Sequence, residues 1–376
     1  MVPQHESGAP GTVVIYPGNA QRRPRGHESV TCSALAQRLA AIKGYVFAGA
    51  FEATQSYNGP LYYVPSDTFV TLEDARALGI YGEHDLFGGA VPYPFIATKT
   101  ITHPLPSDHA RAPEGWSPAL ARLVKEVVLP GYSAFSLADA MEAGRSLLAQ
   151  GPVRIKKASG IGGLGQWVVA NADELAARLQ SIDGDELTRD GLVIERNLAD
   201  VATLSVGQVR VSDLLVTYCG TQQLTTNNAG QEVYGGSSLT LVRGNFDALL
   251  RIRLDPETLN AVAQSRTYHA AVMQSFPGMF ASRCNYDVAL GVDDNGKRYS
   301  GVLEQSWRIG GASGAEIAAL EAFRDDPALQ VVCASTVEAY GANHVVPPDA
   351  NVYFQGEDEV VGYITKYSRL EPYANT

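Results

Sequence analysis

The stretch Gly151–Val169, GPVRIKKASGIGGLGQWVV, constrains this chain more than any other. A β-branched strand ends in Lys156 and Lys157, a glycine-rich loop follows, and a second strand leads out of it. Gly160, Gly162, Gly163 and Gly165 fall within six residues. Such a loop can bend sharply and bring several backbone N–H groups towards one anion. A lysine at the strand's end can reach the same anion, so the pattern predicts a nucleotide triphosphate site.

Composition narrows the setting of that site. A chain of 376 residues exceeds one average domain of roughly 100–200 residues. With 45% hydrophobic and 18% charged residues it resembles an ordinary globular protein with a buried core. The formal net charge of -11 argues against a nucleic-acid partner, which calls for a basic face. Cys32, Cys219, Cys284 and Cys333 form no CxxC pair, so neither structural zinc nor a disulfide framework is expected. The first residues carry no basic, then apolar, leader pattern. No run approaches the roughly 18–20 apolar residues of a membrane span. The expectation is a cytoplasmic protein with no membrane partner.

The hydrophobic pattern divides along the chain. Thr12–Tyr16 is a buried-strand run, Ser29–Ile42 has helical spacing, and Tyr45–Phe51 and Leu61–Val64 read as strands, an alternation that predicts an α/β unit. Further helices are predicted over 118–128, 137–148 with Ser136 as N-cap, and 172–179 with Asn171 as N-cap. From Leu204 to Val242 the signal changes to strands with tight turns. A helix follows over 255–275, then strands over 286–292 and 299–305 around the turn Asp293-Asp294-Asn295-Gly296. The last core helix is expected over 315–323, and a final hairpin is expected to turn near Gly356. His103, beside Pro104, reads as a loop residue in preference to a substrate contact.

The candidate chemistry lies in three segments. These are the lysine–glycine loop, GLVIERNL at 191–198, and NYDVALGVDDNGKRYSGVLEQSWRIGGAS at 285–313. The last places Asp287 and Glu304 on neighbouring strands, where pairing can bring both carboxylates onto one face. Hard oxygen ligands of this kind, with phosphates and water, suit a Mg²⁺–triphosphate. Arg308 keeps the parity of Glu304 and can hold a phosphoryl group or a substrate carboxylate.

On these residues the chain resembles the ATP-grasp superfamily over roughly 120–325. It is most similar there to a bacterial ATP-grasp-like group of unknown function. The resemblance implies an α/β (α+β) ATP-grasp fold behind an N-terminal α/β domain. It divides the chain into 1–110 (N-terminal domain), 111–200 (lysine strand and glycine loop), 201–330 (metal-binding acids) and 331–376 (C-terminal extension). It implies that Lys156 contacts the phosphates, with Lys99 as the second phosphate lysine, and that Gly160, Gly162, Gly163 and Gly165 form the lid. Glu195 matches the acid near the adenine amino group, Asn197 and Leu198 the backbone contacts to the purine, and Asp200 stands in for the ribose-binding acid. Asp287, Glu304 and Ser306 match the metal ligands, Ser306 replacing the usual asparagine, with Gln305 able to compensate only if the strand bulges. Arg308, with Lys156, is implied as catalytic. The cofactors implied are ATP and Mg²⁺, with Mn²⁺ as the alternative ion.

The activity implied is an ATP-dependent ligase joining a carboxylate to an amine or thiol through an acylphosphate. Its partners would be small-molecule or peptide carboxylate and amine substrates, and a homodimer is the expected assembly. Two alternatives stay open: a kinase on the same fold that phosphorylates a small molecule, and a nucleotide-binding protein without turnover.

Overall fold

Strand β1 (Thr12–Tyr16) lies between two parallel neighbours, β2 (Val46–Ala50) and β3 (Leu61–Pro65). The computed structural model describes residues 10–18, 25–158, 160, 165–371 and 373. Helix α1 (Gly26–Lys43) crosses between β1 and β2, as a parallel connection requires. Its Leu35, Ala36, Leu39 and Ile42 enter the core on a helical period. Arg25, at its N-cap, supplies no side-chain hydrogen bond; Asp358, from the far end of the chain, accepts the His27 N–H at 2.8 Å instead. Gly26, at φ 52, lies so close to the Asp358 carboxylate that a Cβ there would overlap it. Helix α2 (Leu72–Ala77) opens on Thr71, which caps the Asp74 N–H, and β4 (Gly89–Ala90) closes this unit. Two 3₁₀ turns, Pro94–Ala97 and Lys99–Thr102, lead out of it.

The second layer is a small antiparallel sheet. After α3 (Pro118–Val124) come β5 (Gly131–Ala134), α4 (Leu137–Leu148), β6 (Val153–Lys157), β7 (Gln166–Val169), α5 (Ala172–Gln180), α6 (Gly184–Asp190) and β8 (Leu192–Arg196). The strands pair in the order β5-β8-β6-β7. Ser136 and Asn171 cap α4 and α5 as expected. The alternation of strand side chains gives the sheet two different faces. Val153, Ile155, Leu192 and Ile194 pack with Ala140, Leu147, Leu175 and Leu179 under α4 and α5. Arg154, Lys156 and Glu195 point to the other side, towards a cavity.

The third layer is an eight-stranded antiparallel sheet. It comprises β9 (Ala199–Val211), β10 (Leu214–Thr226), β11 (Glu232–Arg243), β13 (Arg283–Val292), β14 (Arg298–Ser306), β15 (Val331–Tyr340), β16 (Asn351–Asp358) and β17 (Gly362–Glu371). Between β11 and β13 run α7 (Phe246–Leu249), α8 (Pro256–Ser275) and the short β12 (Phe280–Ala281), which pairs with β4. The spatial order is β14-β13-β9-β10-β11-β15-β17-β16. Helix α9 (Ser313–Asp325) and α1 cover part of one face, burying Leu239, Leu241, Ile317 and Leu320 together. Helix α8 packs the opposite face around Val206, Val262, Tyr268 and Tyr286.

One expectation about the last third changes. The final hairpin turns at 359–361, not near Gly356, because β16 continues to Asp358. Asp358 itself makes that turn by accepting the amides of Val360 and Val361. Strand β15, bare of any sequence prediction, joins the final hairpin to β11. Among the described residues no helix is long and apolar enough to cross a membrane.

Candidate functional site

Asp287 and Glu304 are direct cross-strand partners on β13 and β14. The pairing shifts between Asp287 and Val288, whose partner is Val302, so Leu303 forms a bulge. Without that extra residue Val302 and Glu304 would share a face. With it, Val302 joins Val288 in the α8 core while Glu304 joins Asp287 in the cavity wall. Burial, and the Glu304 carboxylate beside it, push Asp287 well above the usual carboxylate range against the pull of Asn285, Arg283 and Lys99. Asn285 Nδ2 and Gln222 Nε2 both donate to Asp287 Oδ1, at 2.8 and 2.7 Å. The two acids thus form a crowded anionic pair that a cation would relieve.

The cavity, of about 960 Å³, lies between these acids and the inner face of the small sheet. Lys156 Nζ stands 2.6 Å from Glu195 Oε1, and His103 Nε2 lies 3.1 Å from Glu195 Oε2. Burial alone would raise Glu195, yet the Lys156 and His103 contacts outweigh it and bring it down to about 2. His103 lies in the loop just after the 3₁₀ turn Lys99–Thr102, as expected, but it is fully buried and braces the acid. Beside this group, Arg154 donates to Asn197 Oδ1 at 2.9 Å and to Gln166 Oε1 at 3.3 Å. Next to the hinge at 196–199, where β8 of the small sheet passes into β9 of the large one, Leu129, Leu198, Ala289 and Leu303 form an apolar patch that also lines the cavity.

The remaining expected site residues divide. Arg308 lines the cavity, donates to the Ile309 carbonyl and lies 3.8 Å from Asp67. Ser306 lines it too, opposite Asn285 in register, and accepts from Arg283 at 3.3 Å. Lys99 is buried behind the wall, where its ammonium meets Glu304 Oε2 at 2.7 Å and the Gly160 carbonyl at 2.8 Å. Gly165 turns at φ 71 and returns its carbonyl to the Lys157 N–H; Gly162 and Gly163 lie outside the described residues. Asp200 is exposed, at φ 51, and is not part of the cavity lining, whereas Val201 and Thr203 are. Gln305 faces away, held by Tyr268 and the carbonyls of Ile96 and Thr98, so the bulge does not bring it to the acids. Lys157 pairs with Glu186 at 2.6 Å.

Sequence reasoning missed Arg154, Gln222, Asn285 and the apolar patch. For Arg154 the signal was present, since it shares the strand parity of Lys156. Asn285 likewise shares the parity of Asp287, two residues away on β13, whereas Gln222 approaches Asp287 only through the pairing of β10, β9 and β13. Among the described residues no group of three or more His, Cys, Asp and Glu side chains stands ready for a metal. A two-carboxylate site of this kind relies on phosphate and water oxygens to complete the shell.

This geometry has relatives among solved structures. Biotin carboxylase from Campylobacter jejuni, in a β,γ-ATP complex, superposes with a TM-score of 0.55 at 12% identity, covering 96% of this chain and 87% of that one. An N5-carboxyaminoimidazole ribonucleotide synthetase in its ADP complex gives 0.52 at 12% identity, covering 96% and 92%. N5-carboxyaminoimidazole synthase from Aspergillus clavatus, with ADP and 5-aminoimidazole ribonucleotide, gives 0.51 at 13% identity, covering 96% and 94%. No curated protein matches the sequence. At such identity the likeness carries the fold, and that fold is ATP-grasp. A family model described as a protein of unknown function, DUF3182, matches residues 15–368, so this ATP-grasp chain belongs to the DUF3182 family.

Proposed function

We propose that the cavity binds ATP with Mg²⁺ and activates a substrate carboxylate as an acylphosphate, which an amine or thiol then attacks. The observation that carries this reading is the pairing of Asp287 and Glu304 across β13 and β14, facing Lys156 and Arg154 over one cavity. The donor set fits the ion: two carboxylates on adjacent strands, one of them held up by burial and then by the other's charge. Asp287 and Glu304 would hold the metal, which supplies neutralisation of phosphate charge; Mn²⁺ is the alternative ion. The apolar patch of Leu129, Leu198, Ala289 and Leu303 suits the two faces of a purine. Lys156 and Arg154 present cationic groups to the phosphates on one strand. Lys99 ties the first residue of the glycine loop to Glu304, coupling loop position to the acids. Arg308 suits the charge that develops on a transferring phosphoryl group or a tetrahedral oxyanion. No side-chain nucleophile is required, and the chain's contribution is positioning and charge neutralisation.

The test is ADP release by Glu304→Ala, measured beside its circular dichroism and melting curve. A folded variant without turnover is the expected result. Full turnover in that variant overturns the reading.

A further inference from the structure

The cavity continues well beyond the acids. From Asp287 the register runs Asp287–Ser205–Gly220–Leu239–Ala334 across β13, β9, β10, β11 and β15. On the same face, Gln222 pairs with Ser237, Ser237 with Thr336, and Thr336 with Ser368. Gln222 reaches back to Asp287 and Ser205, at 2.7 and 2.9 Å, so this neutral polar row begins at the acids themselves. Ser205, Gln222, Ser237 and Thr336 all line the cavity, and α1 roofs its far end with Glu28, Thr31, Cys32 and Leu35. At that end Glu338 and Lys366, cross-strand partners, form an ion pair at 2.8 Å with side chains only 16% and 13% exposed. With Glu28 beside them, the far end carries two acids against one base.

We infer that this row is a track for an extended peptide, lying with its C-terminal carboxylate at the acids and its N-terminal ammonium at Glu338. The inference rests on the ligase reading, which places the carboxylate to be activated near Asp287 and Glu304. Three features fit the occupant. Neutral hydroxyl and amide groups at strand spacing are partners for peptide N–H and C=O groups, which must be satisfied when buried. The acid excess at the far end suits an ammonium. The length also agrees: four strand spacings of ~4.8 Å make about 19 Å, or five to six extended residues at ~3.4 Å each.

The experiment titrates the full chain calorimetrically with alanine peptides of about one to eight residues, first without nucleotide and then with MgATP. Affinity should climb up to five or six residues and then level. N-acetylation of the hexapeptide should weaken binding about tenfold, and Glu338→Gln should remove that difference. Lys366→Met, which leaves Glu338 without its internal cation, should strengthen the preference for the free amine. Thr336→Val should weaken the hexapeptide and leave alanine unaffected. Affinity independent of length, no peptide binding at all, or an unchanged acetylation effect in Glu338→Gln overturns the track. MgATP is titrated separately into the wild type: failure there overturns the ligase reading, whereas the peptide series without nucleotide is read on its own.

Discussion

Lys156 and Glu195 sit on adjacent strands of the small sheet with Nζ and Oε1 2.6 Å apart, both nearly excluded from water. An ion pair this buried is held in place by its surroundings, and the second carboxylate oxygen is already taken by His103. The cavity-facing Lys156 is therefore held in one position by its own neighbours.

Lys156→Met leaves Glu195 buried with one partner, so a loss of about 3 kcal/mol is expected, read from the urea midpoint at pH 7. The pH dependence has a definite sign. Glu195 is depressed from 4.5 to about 2 in the folded chain. Its contribution is therefore complete above 4.5 and fades as pH falls towards 2. Without Lys156, burial lifts Glu195 in the variant, so the gap between wild type and Lys156→Met should narrow as pH falls through the range where the variant's carboxyl takes up a proton and the wild-type one stays ionised. A gap that widens in acid contradicts the arrangement.

Gly131 is a second handle on the same group. A Cβ there would stand 2.8 Å from His103 Cε1 and 2.9 Å from Glu195 Cβ. Gly131→Ala should cost about 1–3 kcal/mol through overpacking and, by pushing His103 from Glu195, weaken ATP binding as well. Equilibrium unfolding and nucleotide titration on one preparation check both.

Arg283 and Glu316 form a pair buried on both sides, with contacts of 2.8 to 3.1 Å, and Tyr218 joins Glu316 to Asn285. Glu316 lifts Arg283 above its ordinary value although burial opposes this. Arg283→Met or Glu316→Leu alone should each cost about 3–5 kcal/mol, because each strands a buried charge. The double variant should cost far less than the sum. Additive losses in a double-mutant cycle would show that the two groups do not act as a unit.

Arg196 ties the hinge strand to the tip of the β13–β14 hairpin. It donates to Asp293 Oδ2 at 3.1 Å and Gln150 Oε1 at 2.6 Å, and lies 5.2 Å over the Tyr299 ring. Arg196→Ala should speed amide hydrogen exchange in 192–196 and 293–297 while β10 and β11 keep their protection. Uniform acceleration over the whole chain would mean that the contact serves global stability and not the hinge.

Much of this could be read from local pattern. The runs TVVIY and GLVIE are strands, and Ser136 and Asn171 do cap their helices, whereas Asp287 and Glu304 share a face only through the bulge at Leu303. The strands and caps depend on neighbours a few residues apart, where side-chain period and capping chemistry act. The bracing role of His103 was not legible because its partner lies 92 residues away, and the side taken by Gln305 was not because a one-residue bulge does not say which face the next residue takes.

The sequence by itself determined the lysine strand, its glycine loop and the order of the acids behind them, since each is written in consecutive residues with their own geometric demands. Only the tertiary structure decided what those parts enclose. The brace of His103 on Glu195, the approach of Gln222 to Asp287 and the extension of the cavity along β11, β15 and β17 all come from strand pairings between distant segments. Such pairings are selected by the burial of whole faces against α1, α8 and α9, a collective balance that no short window of residues contains.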